Sequence, residues 1–81
     1  MQITVRLLAS YRNYLPEEHD AGAGFPLEVE PGTIVCRVVD GLPIPRDGRT
    51  TVMVNGRHAD WEQRLGAGDV VAVFPAVGGG V

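Results

Sequence analysis

Three consecutive glycines near the end of the chain are the residues with the clearest chemical potential. Gly78–Gly80 follow a strongly apolar run, Val70–Phe74, and precede Val81. Glycine has no side chain to bury and loses the most backbone entropy on ordering, so this segment is expected to stay exposed and mobile. A thin tail on a rigid strand could carry a carboxylate into the active site of another protein. From Val77 to Gly80 the extended chain would reach roughly 13 Å.

The other reactive residue types form no recognisable catalytic or metal-binding set. Cys36 lies inside a helical apolar pattern and is predicted to be a small core residue. His19 and His58 are far apart in the sequence with no third ligand type nearby, so no metal site is predicted. The aspartates show no paired pattern typical of acid–base catalysis. A standalone enzyme is therefore not predicted.

Composition indicates one small soluble domain. The chain has 81 residues, of which 44 % are hydrophobic and 21 % are charged, with a formal net charge of −3. All seven basic residues are scattered arginines, which argues against nucleic-acid binding. No apolar run is long enough for a membrane span, and one cysteine suggests a reducing compartment, so a cytoplasmic location is expected.

Two alternating segments predict strands in the first thirty residues. Gln2–Leu8 places apolar residues at every second position, and Phe25–Glu30 repeats that pattern. Pro26 makes the second of these an edge strand, because proline has no N–H for a sheet ladder. Between them, Ser10 is expected to cap a short helical turn that ends at Pro16.

Apolar residues at helical spacing follow the second strand. Thr33 is the predicted N-cap, and Gly41 and Pro43 supply a stop. The residues that set the spacing are Ile34, Val35, Val38, Val39 and Leu42. Their β-branched side chains favour strands, so a strand stays an alternative to this helix.

The second half of the chain reads as a hairpin and a final strand. Thr51–Val54 is a predicted strand, and Asn55-Gly56 is a strong two-residue hairpin signal. Asp60–Arg64 could form one helical turn, with Trp61 covering one end of the core. Val70–Phe74 is apolar at every position, which is typical of a central strand buried on both faces.

Together these elements predict an α+β roll. One amphipathic helix would pack on one face of a mixed four- to five-stranded sheet, with the last strand beside the first. The domain would comprise residues 1–76, and residues 77–81 would form the glycine tail.

The chain resembles a known family in its order of elements and in its C-terminal segment. Its order of elements is similar to the β-grasp fold of ubiquitin-like proteins. The segment Gly68–Gly79 resembles the C-terminal signature of the sulfur carriers of the MoaD and ThiS types, and Val54-Asn55-Gly56 matches their usual hairpin. Val5–Ala9 and Tyr11–Pro16 look more like the start of the MoaD type, the small subunit of molybdopterin synthase.

The resemblance implies a carrier with no catalytic residue of its own, no bound cofactor and no metal. A ubiquitin-activating-type adenylating enzyme would use ATP to activate the terminal glycine carboxylate, and a sulfur donor would convert it to a thiocarboxylate. The sulfur would then pass to the molybdopterin synthase large subunit, for molybdopterin or tungstopterin synthesis, or to a thiazole synthase.

The sequence departs from the family pattern at its end. The family ends at its second glycine, whereas here three glycines precede Val81. Gly80 is the predicted activated residue, with Gly79 as the second choice, and Gly78 completes the tail. With Val81 attached, a peptide bond at Gly80 leaves no glycine carboxylate to activate. Either a protease removes Val81 or the tail is inactive in this form, and a third alternative is that Val81 itself supplies the carboxylate.

A docking patch beside the root of the tail is also expected. If alternate residues of the last two main strands face the core, Phe74 and Met53 face outward, and Leu8 and Pro75 would extend this apolar surface. The alternative is that Phe74 only caps the core.

Two other functions stay open. The same sulfur chemistry could serve thiamine thiazole or cysteine synthesis, because the receiving pathway depends on the partner's surface. A ubiquitin-like protein modifier or a plain interaction module is an alternative of a different class.

Overall fold

The computed structural model describes residues 1–14, 23–44 and 49–76. Its elements in chain order are β1 (Gln2–Leu7), a 3-10 helix (Ala9–Tyr14), β2 (Phe25–Glu28), α1 (Val35–Asp40), β3 (Thr50–Val54), β4 (Arg57–His58) and β5 (Val70–Pro75).

The strands form one mixed sheet in the order β2-β1-β5-β3-β4. β1 and β5 run parallel, whereas β2 pairs with β1, β3 with β5 and β4 with β3 in antiparallel fashion. The predicted neighbour relation between the first and last strands is therefore confirmed. Pro26 lies in the edge strand β2, as the sequence predicts.

The hairpin between β3 and β4 follows directly from its two turn residues. Asn55 and Gly56 both have positive φ, of 52° and 83°. That combination suits a tight turn whose twist matches the flanking strands, and Asn and Gly tolerate it better than other residues. Val54 pairs with Arg57 across the turn, so the predicted hairpin is confirmed.

The core lies between α1 and one face of the sheet. Val35 and Val39 of α1 and alternate residues of the strands are buried in one cluster. The largest side chains with less than 2 % exposure are Ile3, Val5, Leu7, Val35, Val39, Val71 and Val73. Each such side chain contributes roughly 1.5–3 kcal/mol by leaving water, which makes this face the main source of stability.

The other face of β5 corrects the sequence expectation. Val71 and Val73 are fully buried, but Val70, Ala72 and Phe74 between them are only half-buried. The described residues place a helix over one side of the sheet, so the apolar run is buried on one face rather than on both.

The start of α1 also differs from expectation. The helix begins at Val35, and the Thr33 hydroxyl donates to the Glu30 carbonyl at 2.6 Å instead of capping the helix. The first helical N–H groups donate to a distant segment: Val35 to the Gln63 carbonyl at 3.0 Å and Cys36 to the Trp61 carbonyl at 2.9 Å. Backbone carbonyls thus satisfy donors that a side chain was expected to serve.

Residues 60–65 do not form the helical turn that the sequence predicts. The segment lies against the chain before α1, where Leu65 N–H donates to the Thr33 carbonyl and Arg64 bridges Ile34. Before them the chain makes a single hydrogen-bonded turn, in which the Gln63 N–H donates to the Asp60 carbonyl at 3.1 Å, and this turn does not continue as a helix. Trp61 is 41 % exposed, so it does not close the core, whereas Leu65 is buried.

The helical segment after β1 is a 3-10 helix that starts at Ala9, which places Ser10 inside it rather than at its cap. Pro16, the predicted end of this turn, lies outside the described residues. Tyr11 is buried and its hydroxyl hydrogen-bonds the Thr50 hydroxyl at 2.9 Å. Tyr14 is exposed and its ring meets the Tyr11 ring edge-on. The bond between Tyr11 and Thr50 joins the segment to β3.

Candidate functional site

The root of the glycine tail is a strand held on both sides. β5 pairs with β1 through Val73 and with β3 through Pro75. One residue further along, the Ala76 N–H donates to the Arg49 carbonyl. The backbone is therefore fixed as far as Ala76. Gly78, Gly79, Gly80 and Val81 lie outside the described residues.

Beside this root lies the side of the sheet opposite α1, which we call the open face. Side chains alternate along a strand, and Val52 and Val54 are buried in the core. Met53 therefore lies on the open face, directly opposite Ala72 and diagonal to Phe74. Cross-strand and diagonal neighbours are close enough for long side chains to touch.

The predicted docking residues divide between the two faces. Leu8 donates its N–H to the Val73 carbonyl at 3.0 Å, which extends the β1 ladder and places Leu8 on the open face, where it is half-buried. Pro75 pairs with Thr50, whose hydroxyl reaches the buried Tyr11. Pro75 thus lies on the core side, apart from Met53 and Phe74.

The open face also carries two polar side chains that the sequence pattern did not bring together. Arg6 on β1 lies opposite Ala72 on β5, and His58 on β4 lies opposite Met53 on β3. The central row across the sheet therefore runs Arg6, Ala72, Met53, His58, with small and apolar residues between two nitrogen-bearing side chains. The alternation of β1 already indicated that Arg6 faces away from the core, but not which residues it accompanies.

No group of three or more His, Cys, Asp or Glu side chains among residues 1–14, 23–44 and 49–76 could hold a metal ion. In the same ranges no helix is long and apolar enough to span a bilayer.

The family of the chain follows from its sequence match. The model of the ThiS family matches residues 5–80, which include β1 to β5 almost entirely and the three glycines. The chain belongs to the ThiS family. The sequence-based assignment to ubiquitin-like carriers of the MoaD and ThiS types is confirmed. Members of this family are small carrier proteins and not enzymes, as predicted.

Solved structures show that this ThiS-family chain has the β-grasp fold. SAMP1 from Haloferax volcanii superposes with a TM-score of 0.72 at 22 % identity, over 99 % of this chain and 100 % of that one. A putative molybdopterin converting factor, subunit 1, from Pyrococcus furiosus gives 0.72 at 23 %, over 94 % and 98 %. At such identities the likeness shows the fold alone.

A third similar structure is somewhat nearer in sequence. The HVO 2177 protein of Haloferax volcanii gives a TM-score of 0.70 at 27 % identity, over 99 % of this chain and 87 % of that one. Comparison with curated proteins found no match. The chain is thus a small carrier protein of the ThiS family with the β-grasp fold.

Proposed function

We propose that this ThiS-family chain is a sulfur carrier for molybdopterin or tungstopterin synthesis, with Gly80 as its activated residue. The observation that carries the proposal is that the family match continues through the glycines and ends at residue 80. The putative molybdopterin converting factor subunit of similar fold supports the choice of pathway.

The chemistry belongs to the terminal carboxylate. In an ATP-dependent adenylating enzyme, a carboxylate oxygen of Gly80 attacks the α-phosphorus of ATP, and pyrophosphate leaves. Hydrosulfide then attacks the carbonyl carbon of the acyl-adenylate, and AMP leaves. The resulting thiocarboxylate is the sulfur donor. ATP is bound by the partner, and the carrier supplies only its carboxylate.

Because the backbone is fixed as far as Ala76, a partner that binds the domain also positions the start of the tail. A partner that binds Leu8, Met53 and Phe74 on the open face holds the same strand whose pairing fixes Ala76. Little conformational freedom remains between the docking surface and the start of the tail, so binding energy at the open face helps to position the carboxylate.

Gly80 has to lose the residue that follows it. Its carbonyl carbon is part of an amide in the printed sequence, where Val81 comes next. A peptidase that hydrolyses the Gly80–Val81 bond therefore belongs to the proposal. The absence of a Cβ at Gly79 and Gly80 keeps the tail thin enough for a narrow channel.

Intact mass tests this function directly. Three forms of the protein, ending at Gly79, Gly80 and Val81, are incubated with a cognate adenylating enzyme, ATP and sulfide. We expect only the form that ends at Gly80 to gain the mass of one sulfur in place of one oxygen. Reaction of the Gly79 form alone would move the active terminus by one residue. Failure of all three forms would refute the sulfur-carrier function.

Transfer to thiazole synthesis is the alternative within the same chemistry, and the ThiS family match supports it. The two pathways are separated by offering the thiocarboxylated protein to a molybdopterin synthase large subunit and to a thiazole synthase. We expect the first to consume the thiocarboxylate. Consumption by the thiazole synthase alone would replace the molybdopterin assignment.

A protein modifier is the second candidate, supported by the similar fold of SAMP1, a small archaeal modifier protein. Its product would be an amide between the Gly80 carboxyl and a lysine of another protein. The printed sequence has seven arginines and no lysine, so its own side chains offer no amine to extend such a conjugate. A covalent adduct whose mass is that of the carrier plus its target less one water, with no sulfur gained, would support this candidate.

A further inference from the structure

A side-chain pair at the opposite end of β5 from the tail has no part in the function proposed above. Asn55 forms the first corner of the β3–β4 hairpin, and Asp69 immediately precedes β5. The Asn55 Nδ2 donates to Asp69 Oδ1 at 3.0 Å, and the Val70 N–H donates to Asn55 Oδ1 at 2.9 Å. We call this pair the Asn55–Asp69 latch.

All three side-chain oxygen atoms of the latch accept a hydrogen bond. The remaining carboxylate oxygen, Asp69 Oδ2, accepts the Gly66 N–H at 2.7 Å. In the backbone, the Asn55 N–H donates to the Val70 carbonyl at 2.8 Å. These bonds use an amide N–H donor at position 55 and two carboxylate oxygens as acceptors at position 69. They fasten the hairpin turn to the first residue of β5.

The residue after Asn55 makes its side chain chemically vulnerable. The backbone nitrogen of Gly56 can attack Asn55 Cγ, so that an N–Cγ bond forms, the Cγ–Nδ2 bond breaks and ammonia leaves. Water then opens the five-membered imide to aspartate or isoaspartate. Glycine favours this attack because it has no side chain to obstruct its nitrogen. Asn55 and Gly56 are both exposed.

We propose that Asn55-Gly56 is a deamidation site whose reaction destroys the Asn55–Asp69 latch. Deamidation replaces the donor Nδ2 with an oxygen, so that two carboxylates face each other where one hydrogen bond had been. Like charges at this separation repel, and neither supplies the missing proton. The hairpin turn then loses its side-chain bond to Asp69, and backbone pairing continues to hold it to β5.

The native fold slows the deamidation of Asn55. Both polar atoms of the Asn55 side chain are held against residues 69 and 70, and Cγ has to leave this position to reach the Gly56 nitrogen. Opening of the latch therefore precedes attack, and the rate follows the population of the opened turn.

The first test compares rates of deamidation. The purified protein and the variants Asp69→Ala and Gly56→Ala are incubated at mildly alkaline pH, and intact mass and isoaspartate content are followed. We expect a gain of one mass unit localised to residues 55–56, several-fold faster in Asp69→Ala and slower in Gly56→Ala. A gain elsewhere in the chain, or equal rates with and without Asp69, would overturn the proposal.

The second test uses a mimic of the product. Asn55→Asp is expected to lower the melting temperature, by on the order of 5 °C for a domain of this size. Adding Asp69→Asn should restore most of that loss. The amide introduced at position 69 could then donate to the carboxylate introduced at position 55, and its oxygen could still accept the Gly66 N–H. Asp69→Asn alone should also lower the melting temperature, so the two changes are non-additive.

The double variant keeps this second test decisive if Asn55→Asp alone does not fold. A folded double variant that melts near the unmodified protein supports the latch. Losses that simply add would mean that Asn55 and Asp69 act independently, and the proposed consequence of deamidation would be wrong.

Discussion

Gly24 occupies a position where the backbone conformation and the neighbouring side chains both disfavour a side chain. Its φ is +101°, and a Cβ built there would lie 2.6 Å from Thr4 Cγ2 and 3.1 Å from Arg6 Cγ. Gly32 has a similar φ of +87°, but a Cβ there would meet nothing within 4 Å. The pair therefore separates backbone strain from steric overlap.

We expect Gly32→Ala to lower the free energy of unfolding by about 1 kcal/mol, from the positive φ alone. Gly24→Ala should cost about 1–3 kcal/mol more, because the added methyl group also displaces Thr4. Urea denaturation of both variants measures the difference. Equal losses would mean that Thr4 moves away without cost.

The buried Tyr11 hydroxyl gives a second prediction at this scale. Tyr11→Phe removes the bond to the Thr50 hydroxyl and should cost about 0.5–1.5 kcal/mol in unfolding free energy. Tyr14→Phe is the matched control, because the Tyr14 side chain is 48 % exposed, and it should be close to neutral. A loss of equal size in both variants would contradict the assigned role of Tyr11.

At the scale of elements, α1 is short and depends on a distant segment. Six residues are too few for a stable isolated helix. Its first N–H groups are satisfied by carbonyls of residues 61 and 63, and its buried valines pack on the sheet. The helix is therefore a product of tertiary structure more than of its own sequence.

Thr33→Ala tests this dependence. Loss of a true N-cap costs about 1 kcal/mol, but the Thr33 hydroxyl bonds only a turn carbonyl in the described structure. We expect a loss of less than about 0.5 kcal/mol, as at ordinary surface positions. Thr33→Ser keeps the hydroxyl and serves as control. A full N-cap loss in Thr33→Ala, with none in Thr33→Ser, would contradict the structure.

What the sequence could predict about these elements depends on the range of the interactions. The β3–β4 hairpin was predictable because Asn55 and Gly56 determine their own turn. The strands followed from alternation, and the family signature indicated their order. The start of α1 was not predictable, because its partners lie at Trp61 and Gln63, far along the chain.

The candidate site was predictable to a similar extent. Alternation placed Met53 and Phe74 on one face, in agreement with the structure. The predicted strand ended at Phe74, so the alternation was not carried on to Pro75. Because β5 includes Pro75 and pairs it with Thr50, the same alternation places Pro75 on the core side. The apolar character of Val70–Phe74 also suggested two buried faces, since a sequence pattern does not show which face a helix covers.

For the whole molecule, the two faces of the sheet are expected to serve different purposes. The core face provides most of the stability, whereas the open face carries the proposed docking residues. Neighbouring residues on β3 make this separation testable, because Val52 is buried in the core and Met53 lies on the open face.

We expect Met53→Ala to change the unfolding free energy by less than about 1 kcal/mol and to raise the adenylating enzyme's KM for this protein about tenfold, as for a moderate interface contact. Val52→Ala should do the reverse, with a loss of about 2 kcal/mol in stability and little change in KM below its melting temperature. Unchanged kinetics in Met53→Ala would remove Met53 from the docking surface.

The parallel pairing of β1 with β5 has a practical consequence for handling the protein. Both strands run in the same direction, with Thr4 beside Val70 and Leu7 beside Val73. Met1, whose α-amino group donates to the Val29 carbonyl at 2.7 Å, therefore lies at the opposite end of the sheet from Ala76, roughly 30 Å away at about 3.3 Å per residue. A surface, dye or affinity handle attached at Met1 would leave the glycine end unobstructed, which makes the Met1 end the better choice for immobilising the protein.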